Sequence, residues 1–264
     1  MQETIVKTKK ITISTENQKF SAHYFKPESE GKYSAIILLT EIWGINENIL
    51  DVAERLKEQG YIVLLPDLLS ETGIPKKLNL QLFKDLKNPE TREEATKRAK
   101  ELFAPIRNSE FEKETIKKLQ TCLNYLESKE NIGDVGVMGF SFGGYYSYLL
   151  AINPPEVKEG FIIREQLKIK ACVSFYGRNP TELEDIKKLN CPVLVFHGEY
   201  DEPALKNFPE FAKIMEELGK DFQYFIYPKT KHSFFNDKNP KVYNKEATED
   251  SRKKTIDFFG EHLN

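Results

Sequence analysis

Cysteine is scarce in this chain: Cys122, Cys172 and Cys191 are the only three in 264 residues. Their wide spacing and apolar neighbours exclude a disulfide framework and a zinc pattern, and fit reduced, buried structural thiols. Long hydrophobic runs are lacking as well. Met1-Gln2-Glu3-Thr4 leads into Lys7, Lys9 and Lys10 with no apolar segment behind, so no signal peptide or membrane span is expected and a cytoplasmic location is the reading. Nor does one sign of charge dominate. Lys and Arg number 39 against 41 Asp and Glu, and a net charge of -2 excludes a general nucleic-acid binder. Internal repeats and low-complexity tracts are absent too, so the length points to one large domain able to bury a substantial core.

What is present is an alternation of strand and helix signals. Ile11-Thr12-Ile13 and Phe20 to Phe25 alternate about the polar turn Glu16-Asn17-Gln18 and read as a hairpin. Ala35 to Leu39 is a continuous apolar run suited to a buried parallel strand, and Ile49, Val52, Ala53 and Leu56 place one apolar face on a helix from about Glu47 to Gln59. Further strands are expected at Tyr61–Leu65, Val135–Met138, Ile169–Phe175, Val193–Phe196 and Phe222–Tyr227. Helices are expected at Ile116–Leu126, Tyr145–Ala151, Phe208–Leu218 and about Asn244–His262. The fold class is therefore α/β, a mostly parallel central sheet with helices on both faces and its site beyond the carboxyl ends of the strands. Residues 66–110 interrupt the rhythm and include the charged helical stretch Arg92–Phe103. A structureless loop of that length is uncommon, so this segment reads as a cap-like insertion with one or two helices, on a single domain spanning 1–264.

Gly139-Phe140-Ser141-Phe142-Gly143-Gly144 follows the apolar run Val135–Met138 directly. A serine on so tight a strand-to-helix turn needs small neighbours, which Gly139 and Gly143 supply, while Gly144 lets the next helix approach the sheet. Serine attacks only when a base takes its proton and a carboxylate orients the base. Of four histidines, His23 lies in the hairpin, His197 inside a strand and His262 near the C-terminus. His232 sits in the loop after the final strand, where a base is wanted. Asp201, past the exit at Gly198, is the preferred acid over Glu199, and the order Ser141, Asp201, His232 is that expected of such a sheet. The amide of Phe142 and that of Ile42, in the loop after the third strand, are the expected oxyanion donors. Glu41 beside them is either paired or solvated. Trp43, Phe142, Phe234 and Phe235 line a partly apolar pocket or pack in the core.

On Glu41–Asn46, Pro66-Asp67-Leu68, the Ser141 elbow, Phe196–Asp201 and Lys231–Phe234, the chain resembles the dienelactone hydrolase family of α/β-hydrolases along nearly its whole length. That resemblance implies hydrolysis of small carboxylic esters or lactones with no metal or organic cofactor. It departs from the family in its nucleophile, because the family usually carries a cysteine gated by the glutamate matching Glu41, where this chain has Ser141. A resting hydrogen bond from Ser141 to Glu41 is the corresponding expectation here. The resemblance also makes Arg92 a candidate for gripping an acidic group of the substrate, the other reading being a solvated helix charge. Asn236 stands where a second arginine is expected, and Thr96 where an aromatic is. The same triad also fits a peptidase or an acyltransferase, and the fold alone fits a catalytically silent binding module.

Overall fold

Continuous apolar runs become the inner strands of one eight-stranded sheet, in the order β1-β2-β4-β3-β5-β6-β7-β8. The computed structural model describes residues 8–16, 18–155 and 168–263. The N-terminal residues read for an apolar leader, and Asn17 of the hairpin turn, lie outside that description. β1 (Lys9–Ser14) and β2 (Lys19–Phe25) form the opening hairpin, β2 runs antiparallel to β4 (Ile62–Pro66), and the remaining neighbours are parallel. β3 (Tyr33–Leu39), β5 (Ile132–Phe140), β6 (Ile169–Phe175) and β7 (Val193–Gly198) fill the centre, with β8 (Phe222–Tyr227) at the edge.

Both faces are covered, which is why these strands are apolar without alternation. Successive side chains of a strand face opposite ways, so Ile37, Leu39 and Val137 join one core with α5 (Ser109–Glu127), α6 (Phe142–Ile152) and α9 (Phe208–Glu217). Ile36, Leu38, Met138 and Phe140 join the other with α1 (Glu47–Glu58) and α10 (Lys245–His262). α1 buries the predicted Ile49, Val52, Ala53 and Leu56, and starts where the Asn46 side chain accepts the Ile49 amide. The three cysteines are free and buried, and burial raises each thiol, that of Cys191 to about 12.

The helix expected over Ile116–Leu126 is longer, beginning at Ser109 with Asn108 as its cap. Its first two turns are almost wholly polar, so the apolar period starts only at Ile116. Two short helices were not anticipated, α7 (Leu183–Lys187) and α8 (Glu202–Leu205). Between β4 and α5 the chain forms three helices rather than one or two: α2 (Ile74–Lys77), α3 (Leu80–Asp85) and α4 (Arg92–Phe103). They share a separate apolar cluster of Ile74, Leu78, Leu82, Ala95, Ala99 and Phe103, and Ile42 and Trp43 pack against it.

His197, inside β7, is fully buried, touches the Phe208 ring edge-on at 4.8 Å, and has neither ring nitrogen hydrogen-bonded. Burial pushes its pKa from 6.5 down to about 4, so the folded protein holds it neutral where the unfolded chain takes up a proton. That contribution to stability is complete above pH 6.5 and is lost progressively toward pH 4, by an amount of order 3 kcal/mol. Denaturant midpoints measured between pH 7 and pH 4.5 are expected to fall less steeply in His197→Gln than in the parent. Equal slopes would remove His197 as the cause.

Candidate active site

β5 ends at Phe140 and α6 begins at Phe142, leaving Ser141 alone at the turn with φ 52° and ψ -108°. A non-glycine residue in that region stores about 1–3 kcal/mol of strain and persists only where its surroundings enforce it. The enforcement is visible. The Ser141 amide donates to Phe175 O at 2.8 Å and the Gly143 amide to Thr40 O at 2.9 Å, tying the elbow to the ends of both neighbouring strands. A Cβ on Gly139 would lie 2.1 Å from Gly143 O, and one on Gly143 2.5 Å from the Leu39 carbonyl. A Cβ on Gly144 would meet Ser174 Oγ at 2.8 Å, which explains how closely α6 lies on β6.

His232 arrives from the loop after β8. The Tyr200 amide donates to Thr230 O, Asn244 Nδ2 donates to Thr230 Oγ1, and Thr248 Oγ1 donates to Phe234 O, so both sides of the histidine are pinned. Its Nε2 lies 2.8 Å from Ser141 Oγ, and its Nδ1 lies 2.6 Å from Oδ2 of Asp201. Asp201 is 2% exposed. Glu199, the other carboxylate beyond β7, accepts the Lys229 amide at 2.7 Å instead. Burial lowers the His232 pKa, but the hydrogen bond and charge of Asp201, followed by the charge of Glu41, outweigh it and leave the imidazole above its ordinary value.

Glu41 is 6% exposed, which overturns the solvated reading, and it does not bond Ser141: the serine hydroxyl rests on His232 while Glu41 Oε1 has no partner. Its neighbour is Tyr176, just past β6, also buried, with φ 40° and an unbonded hydroxyl. Burial foremost, and then the Glu41 carboxylate, hold that phenol far above its usual pKa. The Tyr176 ring stands 4.9 Å from the His232 ring. Glu41 is thus a buried charge behind the base. In Glu41→Gln the His232 ring is expected to titrate at lower pH than in the parent, because a charge favouring the imidazolium is gone. A histidine NMR titration with an unchanged midpoint would dismiss that coupling.

The Gly44 amide closes a tight turn on Glu41 O at 3.0 Å, with Gly44 at φ 70°, and Ile42 lies within that turn. Among the described residues the amides of Ile42 and Phe142 make no backbone hydrogen bond, so both remain available as donors.

Ser141, His232 and Phe142 open onto a pocket of about 360 Å³, walled by Ile106, Glu112, Tyr145, Tyr146, Tyr176 and Arg178 together with Pro203 and Ala204. Several residues expected in it are elsewhere. Trp43 packs against Phe83 with the rings tilted at 49° and their centroids 5.6 Å apart, and borders a separate cleft of about 560 Å³ with Leu80 and Asn236. Its large ring joins the loop after β3 to the α2–α4 cluster. Arg92 opens α4 on the surface, where its Nε donates to Leu86 O at 3.3 Å. Phe234 and Phe235 are core residues, Phe235 packing on Phe140 at 5.2 Å. Sequence reasoning missed Tyr176, Arg178, Glu112 and Tyr145. A signal existed for two of them, since Tyr176 and Arg178 immediately follow a parallel strand, where ligands collect. Tyr145 lies one helical turn beyond Ser141. Among the described residues no cluster of His, Cys, Asp or Glu is placed to hold a metal ion, and no helix is long and apolar enough to cross a membrane.

A family model described as the dienelactone hydrolase family matches residues 20–263. A Saccharolobus solfataricus protein named carboxymethylenebutenolidase is 30% identical over 95% of this chain and 97% of its own length. Two solved structures share the α/β-hydrolase fold at 20% identity. One, from Klebsiella pneumoniae and assigned as a dienelactone hydrolase, superposes with a TM-score of 0.76 over 97% of this chain and 98% of its own. The other, the dienelactone hydrolase of Anabaena variabilis, does so with a TM-score of 0.67 over 98% of this chain and 99% of its own.

Proposed function

The chain belongs to the dienelactone hydrolase family, and we propose that it hydrolyses small carboxylic esters or lactones through an acyl-enzyme on Ser141. The observation that carries this reading is the hydrogen-bonded chain Ser141 Oγ–His232 Nε2–His232 Nδ1–Asp201 Oδ2, at 2.8 and 2.6 Å. Neutral His232 accepts the serine proton as Oγ attacks the carbonyl carbon. Asp201 stabilises the resulting imidazolium and holds the tautomer in which Nε2 is the acceptor. The free amides of Ile42 and Phe142 receive the oxyanion; loss of one such donor typically costs about 3 kcal/mol of transition-state stabilisation. His232 then protonates the leaving alcohol oxygen; in the second half it takes a proton from a water whose oxygen attacks the acyl carbon, and returns that proton to Ser141 Oγ as the acyl–oxygen bond breaks and the acid departs. No cofactor enters these steps.

The strained Ser141 backbone serves the same end, because it presents Oγ to the pocket while Phe142 N–H starts a helix whose dipole favours negative charge. We read α2–α4 as a cap on a single domain, attached to the oxyanion loop through Ile42 and Trp43. A fluorophosphonate probe is expected to label the purified protein once, at Ser141, with loss of ester turnover in proportion to labelling. Labelling of another residue, or full turnover after complete labelling, overturns the reading.

A further inference from the structure

β8 closes one edge of the sheet, and among the described residues no strand pairs with its outer side. Its ladder to β7 fixes which backbone groups are left over. The Val193 amide donates to Asp221 O and the Glu199 amide to Tyr227 O, so the odd-numbered residues of this stretch bond β7. In a parallel strand alternate residues turn their N–H and C=O the other way, which leaves those of Phe222, Tyr224 and Ile226 facing outward.

Unpaired edges are templates for further pairing, and native sheets guard them with charge, proline, a bulge or a covering segment. The far edge of this sheet is guarded in that way, since β1 opens on the exposed Lys9 and Lys10. β8 reads Phe-Gln-Tyr-Phe-Ile-Tyr, with no charge, proline or glycine, and its register on β7 is unbroken. Guards stand only at its ends, Asp221 before it and Pro228 after it. Its side chains add to the exposure. On the face toward α9 the Tyr224 ring meets Phe208 at 5.0 Å, yet Tyr224 and Ile226 remain 43% and 42% exposed.

We propose that β8 pairs antiparallel with β8 of a second copy of this chain, about a two-fold axis at Tyr224, joining the two sheets into one. Of the antiparallel registers that oppose outward-facing residues, this one uses them all. Tyr224 faces Tyr224 of the second copy and Phe222 faces its Ile226, each pair exchanging both backbone hydrogen bonds. The same register sets Phe222, Tyr224 and Ile226 of both copies into one apolar ladder on the face toward α9. On the other face Gln223 meets Phe225 of the second copy, whose ring lies under Lys254 Nζ at 4.7 Å. Asp221, exposed and without an ion pair among the described residues, stands diagonally across from that phenylalanine, so its charge complements the lysine. Because only one edge of each sheet is unguarded, the pairing closes at a dimer and no filament grows.

Sedimentation equilibrium of the full chain at micromolar concentration is expected to give twice the chain mass. Ile226→Lys, which sets a charge in the ladder, is expected to raise the dimer dissociation constant at least about tenfold. Ester turnover is retained in that variant, since Ile226 lies outside the Ser141 pocket. A single-chain mass at every concentration, or an unchanged dissociation constant in Ile226→Lys, overturns the inference. Disulfide trapping then reads the register. Tyr224→Cys opposes itself across the axis at a Cα separation of about 5.5 Å, within disulfide reach, so mild oxidation is expected to give a covalent dimer. Ile226→Cys opposes Phe222 and is expected to give none. Cys122, Cys172 and Cys191 are buried and do not compete. Failure of Tyr224→Cys to cross-link, or equal cross-linking by Ile226→Cys, sinks the proposed pairing.

Discussion

Ser141→Ala is expected to lower kcat/KM for a small carboxylic ester by about 10⁴- to 10⁶-fold, with the fold retained. The size follows from what is removed, since no acyl-enzyme forms without Oγ and the remaining oxyanion donors supply only a residual acceleration over water. Retention of the fold follows from the elbow. Alanine, like serine, has a single Cβ at φ 52°, so the backbone strain is unchanged. The two amide hydrogen bonds that hold the turn, to Phe175 O and from Gly143 to Thr40 O, do not involve the side chain. The measurement is steady-state turnover beside circular dichroism and a denaturant midpoint. Activity within tenfold of the parent in a folded variant would end the assignment of Ser141 as nucleophile.

Asp201→Asn is expected to lower kcat by about 10⁴-fold, an effect that the loss of one charge on the surface would not produce. Asp201 Oδ2 accepts from His232 Nδ1 at 2.6 Å and is almost wholly buried. An asparagine there can turn its amide N–H toward Nδ1, which places the proton on Nε2 and leaves the base unable to accept from Ser141. Removing the carboxylate also withdraws the hydrogen bond, and then the charge, that do most to raise the His232 pKa. The His232 titration is therefore expected to shift to lower pH while kcat remains depressed at every pH. Glu199 cannot take over, because its carboxylate is bonded to the Lys229 amide. A kcat within tenfold of the parent would mean that His232 is oriented by something else.

Much of this protein is legible before any coordinates are considered, because certain local demands have few solutions. A serine at positive φ between a buried strand and a helix requires glycines at 139 and 143, and the clashes at 2.1 and 2.5 Å give the reason. Central strands such as β3 are continuously apolar over most of their length, here from Ala35 to Leu39, because both faces are covered, which places the helices and hence the end of the sheet where the site lies. Only part of α5 is legible in the sequence, because its leading turns are mostly polar and carry no apolar period.

The pocket wall was less readable. Trp43 and Phe234 are large apolar residues close in sequence to Glu41 and His232, and sequence proximity cannot say whether such a ring faces a ligand or a core. Packing decided it, sending Trp43 to the α2–α4 cluster and Phe234 to the core behind the sheet. Arg92 and Arg178 are equivalent as residue types; only the path of the chain sets Arg178 at the mouth of β6 and Arg92 on the outer surface.

By itself the amino-acid order determined the α/β class and the elbow, and set Asp201 and His232 beyond the ends of β7 and β8, since each follows from short-range backbone sterics and from strand order. The tertiary structure alone decided that Glu41 is buried and not a partner of Ser141, and that Arg178, Tyr145 and Glu112 share the pocket of Ser141 and His232. Those relations depend on distances between side chains far apart in the chain. They are set by how α5, α6 and β6 pack together, which no local pattern of residues encodes.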